Sequence, residues 1–168
     1  MKRDSRLSNI LHALLHMAEH QARTGSPMTS DQLAVCLSSN PVVVRRTMAG
    51  LRDQGLVASE KGHGGGWRLA RPLDQVTLGQ VHAALGGTGL IPDAPPVEAQ
   101  GCLVEAAVNE ALSDTYAAAR ALLVARLDSI TLADLAADFS RRMAAHPERG
   151  RLHAHHHHAR GPGKPDAP

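Results

Sequence analysis

A mostly α-helical fold, a helix-turn-helix with a two-stranded wing and a long C-terminal helix for dimerisation, is predicted by three features of this 168-residue chain. Three helical segments precede two strand-like runs around a glycine-rich tip, all before Pro72. The stretch from about Cys102 to Leu127 holds neither glycine nor proline. Net charge changes sign between the two halves of the chain.

After Asp4-Ser5, the residues Leu7, Ile10, Leu11, Leu14 and Leu15 are spaced by three and four, which puts them on one face of a helix from about Ser5 to Arg23. Gly25-Ser26-Pro27 breaks that helix. Thr29 with Gln32 three residues on has the form of a capping box, opening a short helix through Leu37. Asn40 is a good N-cap and Pro41 takes the first helical position, where its missing N–H costs nothing, so a third helix starts there and ends near Gly55. Two helices joined by about three turn residues make a helix-turn-helix candidate. Leu56 to Ser59 and Trp67 to Ala70 read as strands flanking Glu60-Lys61-Gly62-His63-Gly64-Gly65-Gly66, a hairpin with a flexible, basic tip. Pro72 closes it, and Thr77 with Gln80 forms a second capping box on a helix that stops at Gly86-Gly87.

The stretch from Gly86 to Gly101 holds three prolines and four glycines and reads as a loop. In the long helix that follows, Leu103, Val108, Leu112, Ala119, Leu122, Leu123 and Leu127 supply an apolar stripe. At 1.5 Å per residue this helix is about 39 Å long, more than a domain this small can cover, and a partner subunit is the natural cover. Thr131 with Asp134 starts a last helix carrying Leu132, Leu135, Phe139 and Met143, which ends before Pro147. What remains is rich in Gly, Pro, His and Arg and lacks the apolar residues to fold. The expected organisation is a DNA-binding domain at 1–86, a flexible loop at 87–101, a dimerisation helix and final helix at 102–146, and a disordered His-rich tail at 147–168.

Composition narrows the function. No stretch approaches the roughly 18 apolar residues of a membrane span, and the N-terminus runs into a patterned helix rather than an apolar signal core, so a cytoplasmic location is expected. The two cysteines, Cys36 and Cys102, make neither a disulfide framework nor a four-thiolate zinc site. Residues 1–75 carry 10 Lys+Arg against 6 Asp+Glu, residues 76–146 carry 4 against 8, and residues 147–168 carry 4 against 2. A basic first half joined to an acidic second half points the first half at a polyanion. Three aromatics, Trp67, Tyr116 and Phe139, are too few for stacking on single strands, so double-stranded DNA is the expected partner.

A helix that enters the major groove presents small and basic side chains outward and apolar ones to its own domain. In the third helix Val44, Met48 and Leu51 can pack inward against Leu33 and Leu37, leaving Val42, Val43, Arg45, Arg46 and Ala49 on the other side. Its N-terminus, with Ser39 and Asn40 ahead of Pro41, is expected to offer free N–H groups to a phosphate, while Arg45 and Arg46 reach phosphate or guanine. Lys61, His63 and Arg68 around the glycine-rich tip suit the minor groove or the flanking backbone. The triple glycine lacks the Gly-Lys-Ser/Thr ending of a nucleotide loop, and no helix follows it directly.

Pro41-Val42-Val43-Val44-Arg45-Arg46, then Leu51-Arg52-Asp53-Gln54-Gly55-Leu56-Val57, then Gly62-His63-Gly64-Gly65-Gly66-Trp67-Arg68-Leu69-Ala70-Arg71-Pro72, and Thr77-Leu78-Gly79 resemble the Rrf-two family of bacterial transcription regulators over roughly residues 3–139. The resemblance implies a winged helix domain, a long dimerisation helix, and homodimers on palindromic promoter DNA. Members include repressors sensing iron–sulfur status, nitric oxide and cysteine supply. Many hold an iron–sulfur cluster on three cysteines in the loop before the long helix. Cys102 stands where the last of these would be, while the positions six and twelve residues earlier are Pro96 and Leu90, which supply no thiolate. A cluster needs about four suitable donors, so no iron–sulfur cofactor is expected.

Two inputs stay open. Cys36 and Cys102 are candidate redox sensors, since a disulfide between them, within or across subunits, would tie the reading head to the dimer axis; their plain reading is a small core residue and a remnant of a cluster site. A small molecule between the winged domain and the long helix is the competing effector. His153, His155, His156, His157 and His158 can bind nickel, zinc or copper, or form a mere appendage. His12, His16 and His20 recur every four residues and could bind metal as a pair; a solvated or dimer-facing stripe is the plainer reading. No serine or cysteine has a base and orienter in a recognisable motif, so no catalytic residue is assigned. The sequence therefore predicts a homodimeric DNA-binding regulator, a repressor by resemblance. The alternative is a metal-binding or protein-interaction module that kept the winged helix scaffold but lost DNA binding.

Overall fold

The computed structural model describes residues 5–62, 64–87 and 102–145. The elements are α1 (Ser5–Thr24), α2 (Ser30–Cys36), α3 (Pro41–Asp53), β1 (Val57–Glu60), β2 (Gly66–Leu69), a single 3-10 turn (Leu73–Gln75), α4 (Leu78–Ala84), α5 (Leu103–Asp128) and α6 (Leu132–Ala145). The order is that of a winged helix, and every element expected from the sequence is present within a residue or two of its anticipated ends. By contacts the chain divides into Met1–Ala133 and Asp134–Pro168. Within the second unit, Asp138 on α6 pairs with Arg141 and Arg142 one turn on, and these arginines hold its carboxyl below the usual range.

Both capping boxes form. Thr29 accepts from the Gln32 N–H at 3.2 Å while the Gln32 side chain accepts from the Thr29 N–H at 2.8 Å. Thr77 and Gln80 repeat the arrangement at the start of α4. The apolar stripe of α1 is buried through Leu7, Ile10, Leu14 and Met17, and Leu33 of α2, Met48 and Leu51 of α3, and Leu56 at the foot of the wing are buried as well.

β1 and β2 pair antiparallel from Val57 opposite Leu69 to Glu60 opposite Gly66. The free edge of β2 is covered by two residues that the sequence did not reveal, Gln21, whose side chain accepts from the Leu69 N–H at 3.2 Å, and Met28. Met28 donates to the Trp67 carbonyl at 2.9 Å and accepts from its N–H at 2.8 Å. This explains the last glycine of the tip, because a Cβ at Gly66 would strike the Met28 carbonyl oxygen. The Trp67 indole then donates to Ser30 Oγ at 3.0 Å, fastening the wing to the first residue of α2.

Past α5 the chain returns to the winged domain. Thr131 bridges Thr77, Leu78 donates to the Ile130 carbonyl, Leu132 donates to the Val76 carbonyl, both at 2.9 Å, and the Leu132 side chain is wholly buried. Gly79 completes the seat, since a Cβ there would collide with Asp128 at the end of α5. Away from its packing on α4, α5 stays open among the described residues: none of its 26 residues is buried, with Leu103 87% and Leu122 75% exposed. Among the described residues no helix is long and apolar enough to cross a membrane.

The histidines of α1 do not form a solvated stripe. His12 is exposed and His20 partly so, but His16 is only 6% exposed, because β2 and α4 flank α1 and widen its buried face beyond the leucine stripe. The loop and tail expected at 87–101 and 147–168 fall, but for Gly87, outside the described residues, as do His63, Leu90, Pro96 and the tail histidines.

Candidate nucleic-acid interface

The turn between α2 and α3 is built on a Schellman motif. Ser38 donates to the Val35 carbonyl at 3.2 Å and Ser39 to the Ala34 carbonyl at 2.9 Å, which requires a left-handed residue at Ser38, with φ 46°. Leu37 reaches back to the Leu33 carbonyl at 3.0 Å and lies half-buried where α3 crosses. Asn40 then opens α3, its side-chain oxygen accepting from the Val42 N–H at 2.8 Å, with Pro41 in the first turn.

This cap alters one expectation. The Ser39 N–H is spent on Ala34 and the Val42 N–H on Asn40, while Pro41 has none, so the amides anticipated as a phosphate cradle are mostly satisfied within the turn. What the start of α3 exposes is side chains. Val42 and Val43 are 60% and 56% exposed, Arg45 and Arg46 are exposed, and the first turn carries no acid. Val44, Met48 and Leu51 face inward, fully buried. Among the described residues neither Arg45 nor Arg46 pairs with a carboxylate, whereas Arg52 is held by Asp53 at 2.9 Å.

The wing cations differ. Lys61 is exposed at the tip. Arg68 is tied down: its Nε stands 2.6 Å from Glu60 Oε1, too bent for a hydrogen bond but ionic, and Nη2 donates to the Gly25 carbonyl at 3.3 Å. Arg68 thus braces the wing against the end of α1 in the free protein. The sequence could have hinted at this, since Glu60 and Arg68 sit diagonally on opposite strands, two positions apart in register and so on one face.

A cleft of about 290 Å³ adjoins this surface, lined by Arg6, Asn9 and Ile10 of α1, by Leu37, Ser38 and Ser39 of the turn, and by Val43, Val44 and Thr47 of α3. It lies against the start of α3 rather than beside the long helix, and no sequence motif marked it. The two cysteines have unlike surroundings. Burial pushes the Cys36 thiol up, whereas Cys102 is exposed at the N-cap of α5.

The chain matches the family model described as Rrf2, iron-dependent transcriptional regulator, over residues 3–138. It is 28% identical over 140 residues to Rv1287 of Mycobacterium tuberculosis, named as an HTH-type transcriptional regulator, with 81% of each protein covered. Among solved structures it resembles IscR of T. potens at 25% identity and TM-score 0.54, covering 82% of this chain and 88% of that one. It also superposes on a transcriptional regulator of Lactobacillus plantarum at 24% identity and TM-score 0.66, covering 87% and 97%.

The family description names iron, and the donors of this chain do not fit an iron–sulfur cluster. There are two cysteines in all, one of them in α2, and among the described residues no group of three or more His, Cys, Asp or Glu converges. The fold, the acid-free exposed start of α3, the wing and the match across 3–138 agree: this chain belongs to the Rrf2 family and is a DNA-binding transcriptional regulator, not an enzyme.

Proposed function

We propose that the protein is a homodimeric repressor that holds promoter DNA with the segment Ser39, Asn40, Pro41, Val42, Arg45 and Arg46 in the major groove and with Lys61, His63 and, once it exchanges Glu60 for phosphate, Arg68 of the wing on the minor groove or the flanking backbone. The observation that carries this reading is a paired one. The start of α3 exposes two arginines with no acid in its first turn, and α5 has no buried residue among its 26, leaving Leu103, Val104, Val108, Leu112 and Leu122 exposed. The first needs a polyanion and the second needs another copy. A two-fold dimer reads inverted half-sites one helical turn, about 34 Å, or a multiple of it apart. On this reading residues 1–86 are the reading head and 102–146 the dimer seam, and the repressor sign follows the family resemblance.

The input is thiol oxidation or a small ligand, acting without a cluster. Cys102 is the accessible thiol, and the raised Cys36 is the slower partner in any disulfide. The cleft beside α3 supports the ligand reading, because an occupant there touches both the turn and Val43. The test is sedimentation of the full chain together with anisotropy titrations of the duplex upstream of its own gene, reduced and oxidised, with Cys102→Ser alongside. A dimer that binds an intact inverted repeat at least tenfold better than a single half-site is expected. A monomer, or equal affinity for random duplex, refutes the proposal.

A further inference from the structure

We propose that α1 carries a site for a divalent transition metal of the imidazole-binding class, with His12 and His16 as its two protein ligands and Glu19 as a positioning residue. The two rings stand one turn apart, edge to face, with centroids 4.4 Å apart and their Nε2 atoms 2.7 Å apart. At that separation both nitrogens cannot carry a proton, so one N–H faces the other's lone pair. When each ring holds its proton on Nδ1 instead, both Nε2 lone pairs converge on one point. Glu19 Oε2 stands 3.8 Å from the Nδ1 of His16. A carboxylate behind a ligating imidazole fixes its tautomer and raises its basicity.

The geometry is close to what a metal needs. With metal–nitrogen bonds of about 2.0–2.1 Å and a tetrahedral angle, two ligating nitrogens stand roughly 3.3 Å apart, so the pair opens by about 0.6 Å. His12, exposed, supplies that movement, while His16 is held by the packing around it. Histidines at i and i+4 on one helical face are the spacing with which helices present imidazoles to zinc. Since no third His, Cys, Asp or Glu joins them among the described residues, water fills the other positions and the ion exchanges freely. Imidazole donors without thiolate select Zn²⁺, Ni²⁺ or Cu²⁺ over Mg²⁺ and Ca²⁺. Nothing in this site depends on DNA binding or on the dimer.

The test is calorimetric titration of the full chain with Zn²⁺, after replacing the competing tail residues His153, His155, His156, His157 and His158 by alanine. One Zn²⁺ per chain is expected, with no response to Mg²⁺. His12→Ala, at an exposed position, should abolish binding, and Glu19→Gln should weaken it about tenfold; circular dichroism and Trp67 emission report whether each variant keeps its fold. Absence of stoichiometric binding in the tail-substituted chain overturns the proposal. So does unchanged affinity in His12→Ala, or binding that survives His12→Ala and vanishes in His20→Ala, which would place the ion one turn further along.

Discussion

Replacing Arg45 by alanine isolates the contribution of the α3 arginines, because Arg45 is exposed, pairs with no carboxylate among the described residues, and contributes nothing to the buried face formed by Val44, Met48 and Leu51. Folding stability should therefore be unchanged within about 0.5 kcal/mol, the usual range for a surface substitution. If Arg45 meets a phosphate, each protomer of the proposed dimer loses one contact and the pair loses two. Each contact contributes about 0.9 to the slope of log affinity against log salt, so the slope should fall by about 1.8. Between 50 and 200 mM salt that difference amounts to roughly tenfold in affinity. The assay is fluorescence anisotropy of a labelled promoter duplex across a potassium chloride series, for wild type, Arg45→Ala and Arg46→Ala. If either arginine reads guanine instead, its slope changes less and its preference over random duplex drops by about 1–3 kcal/mol. A variant pair with wild-type slope, affinity and preference would refute the assignment of α3 as the reading helix.

Three further outcomes follow from the same geometry. Ser30→Ala strands the buried Trp67 indole N–H, which should cost about 1–2 kcal/mol in denaturant unfolding and shift the emission of the only tryptophan; an unchanged midpoint would mean that the wing is not fastened there. Gly66→Ala forces β2 away from Met28 and should lower the thermal midpoint by several degrees, more than alanine at the open Gly64 tip position, where only the left-handed φ of 86° resists it. For Cys36, whose thiol is raised above its ordinary value of 9.0, both folded and unfolded chains keep the proton below that pH. Above it the unfolded chain loses its proton first, so stability should fall, and Cys36→Ala should flatten that fall when unfolding is measured between pH 8 and 10 at about 0.5-unit steps.

The elements legible in the sequence were those specified within a few residues. The Thr29–Gln32 and Thr77–Gln80 boxes, the Asn40-Pro41 start of α3 and the Leu7–Leu14 stripe each carry their own physics, and each forms. What stayed hidden depends on partners far along the chain. Met28 joins the sheet because β2 arrives from 39 residues away, and His16 is buried because β2 and α4 close over α1. Ser38 takes a left-handed conformation that a sequence reader expects of glycine, and the Schellman bonds it completes consume the Ser39 amide once assigned to phosphate. Arg68 looked like a free wing cation because neither Gly25 nor the facing strand is its sequence neighbour. The exposed residues of α3 were predictable for the complementary reason, since helical periodicity alone separates Arg45 and Arg46 from Val44 and Met48.

The two candidate inputs enter the molecule at different distances from the reading surface, and this makes them separable. Cys102 caps the first turn of α5, while among the described residues the backbone bonds that join the end of α5 to the winged domain lie at the other extremity, through Leu78 to Ile130 and Leu132 to Val76. With 26 residues between them, at 1.5 Å each, oxidation at Cys102 occurs about 39 Å along the helix from that clasp. A helix with no buried residue of its own chain cannot carry strain over such a length by itself, so a change at Cys102 has to act through whatever covers α5, which on the reading above is the second subunit. A ligand in the cleft faces no such distance, because Ser39 of the reading segment lines it together with Ser38 and Val43. A thiol signal should therefore alter dimer affinity and DNA affinity together, whereas a ligand in the cleft should change DNA affinity at constant dimer affinity. Sedimentation and anisotropy on the same samples distinguish the two.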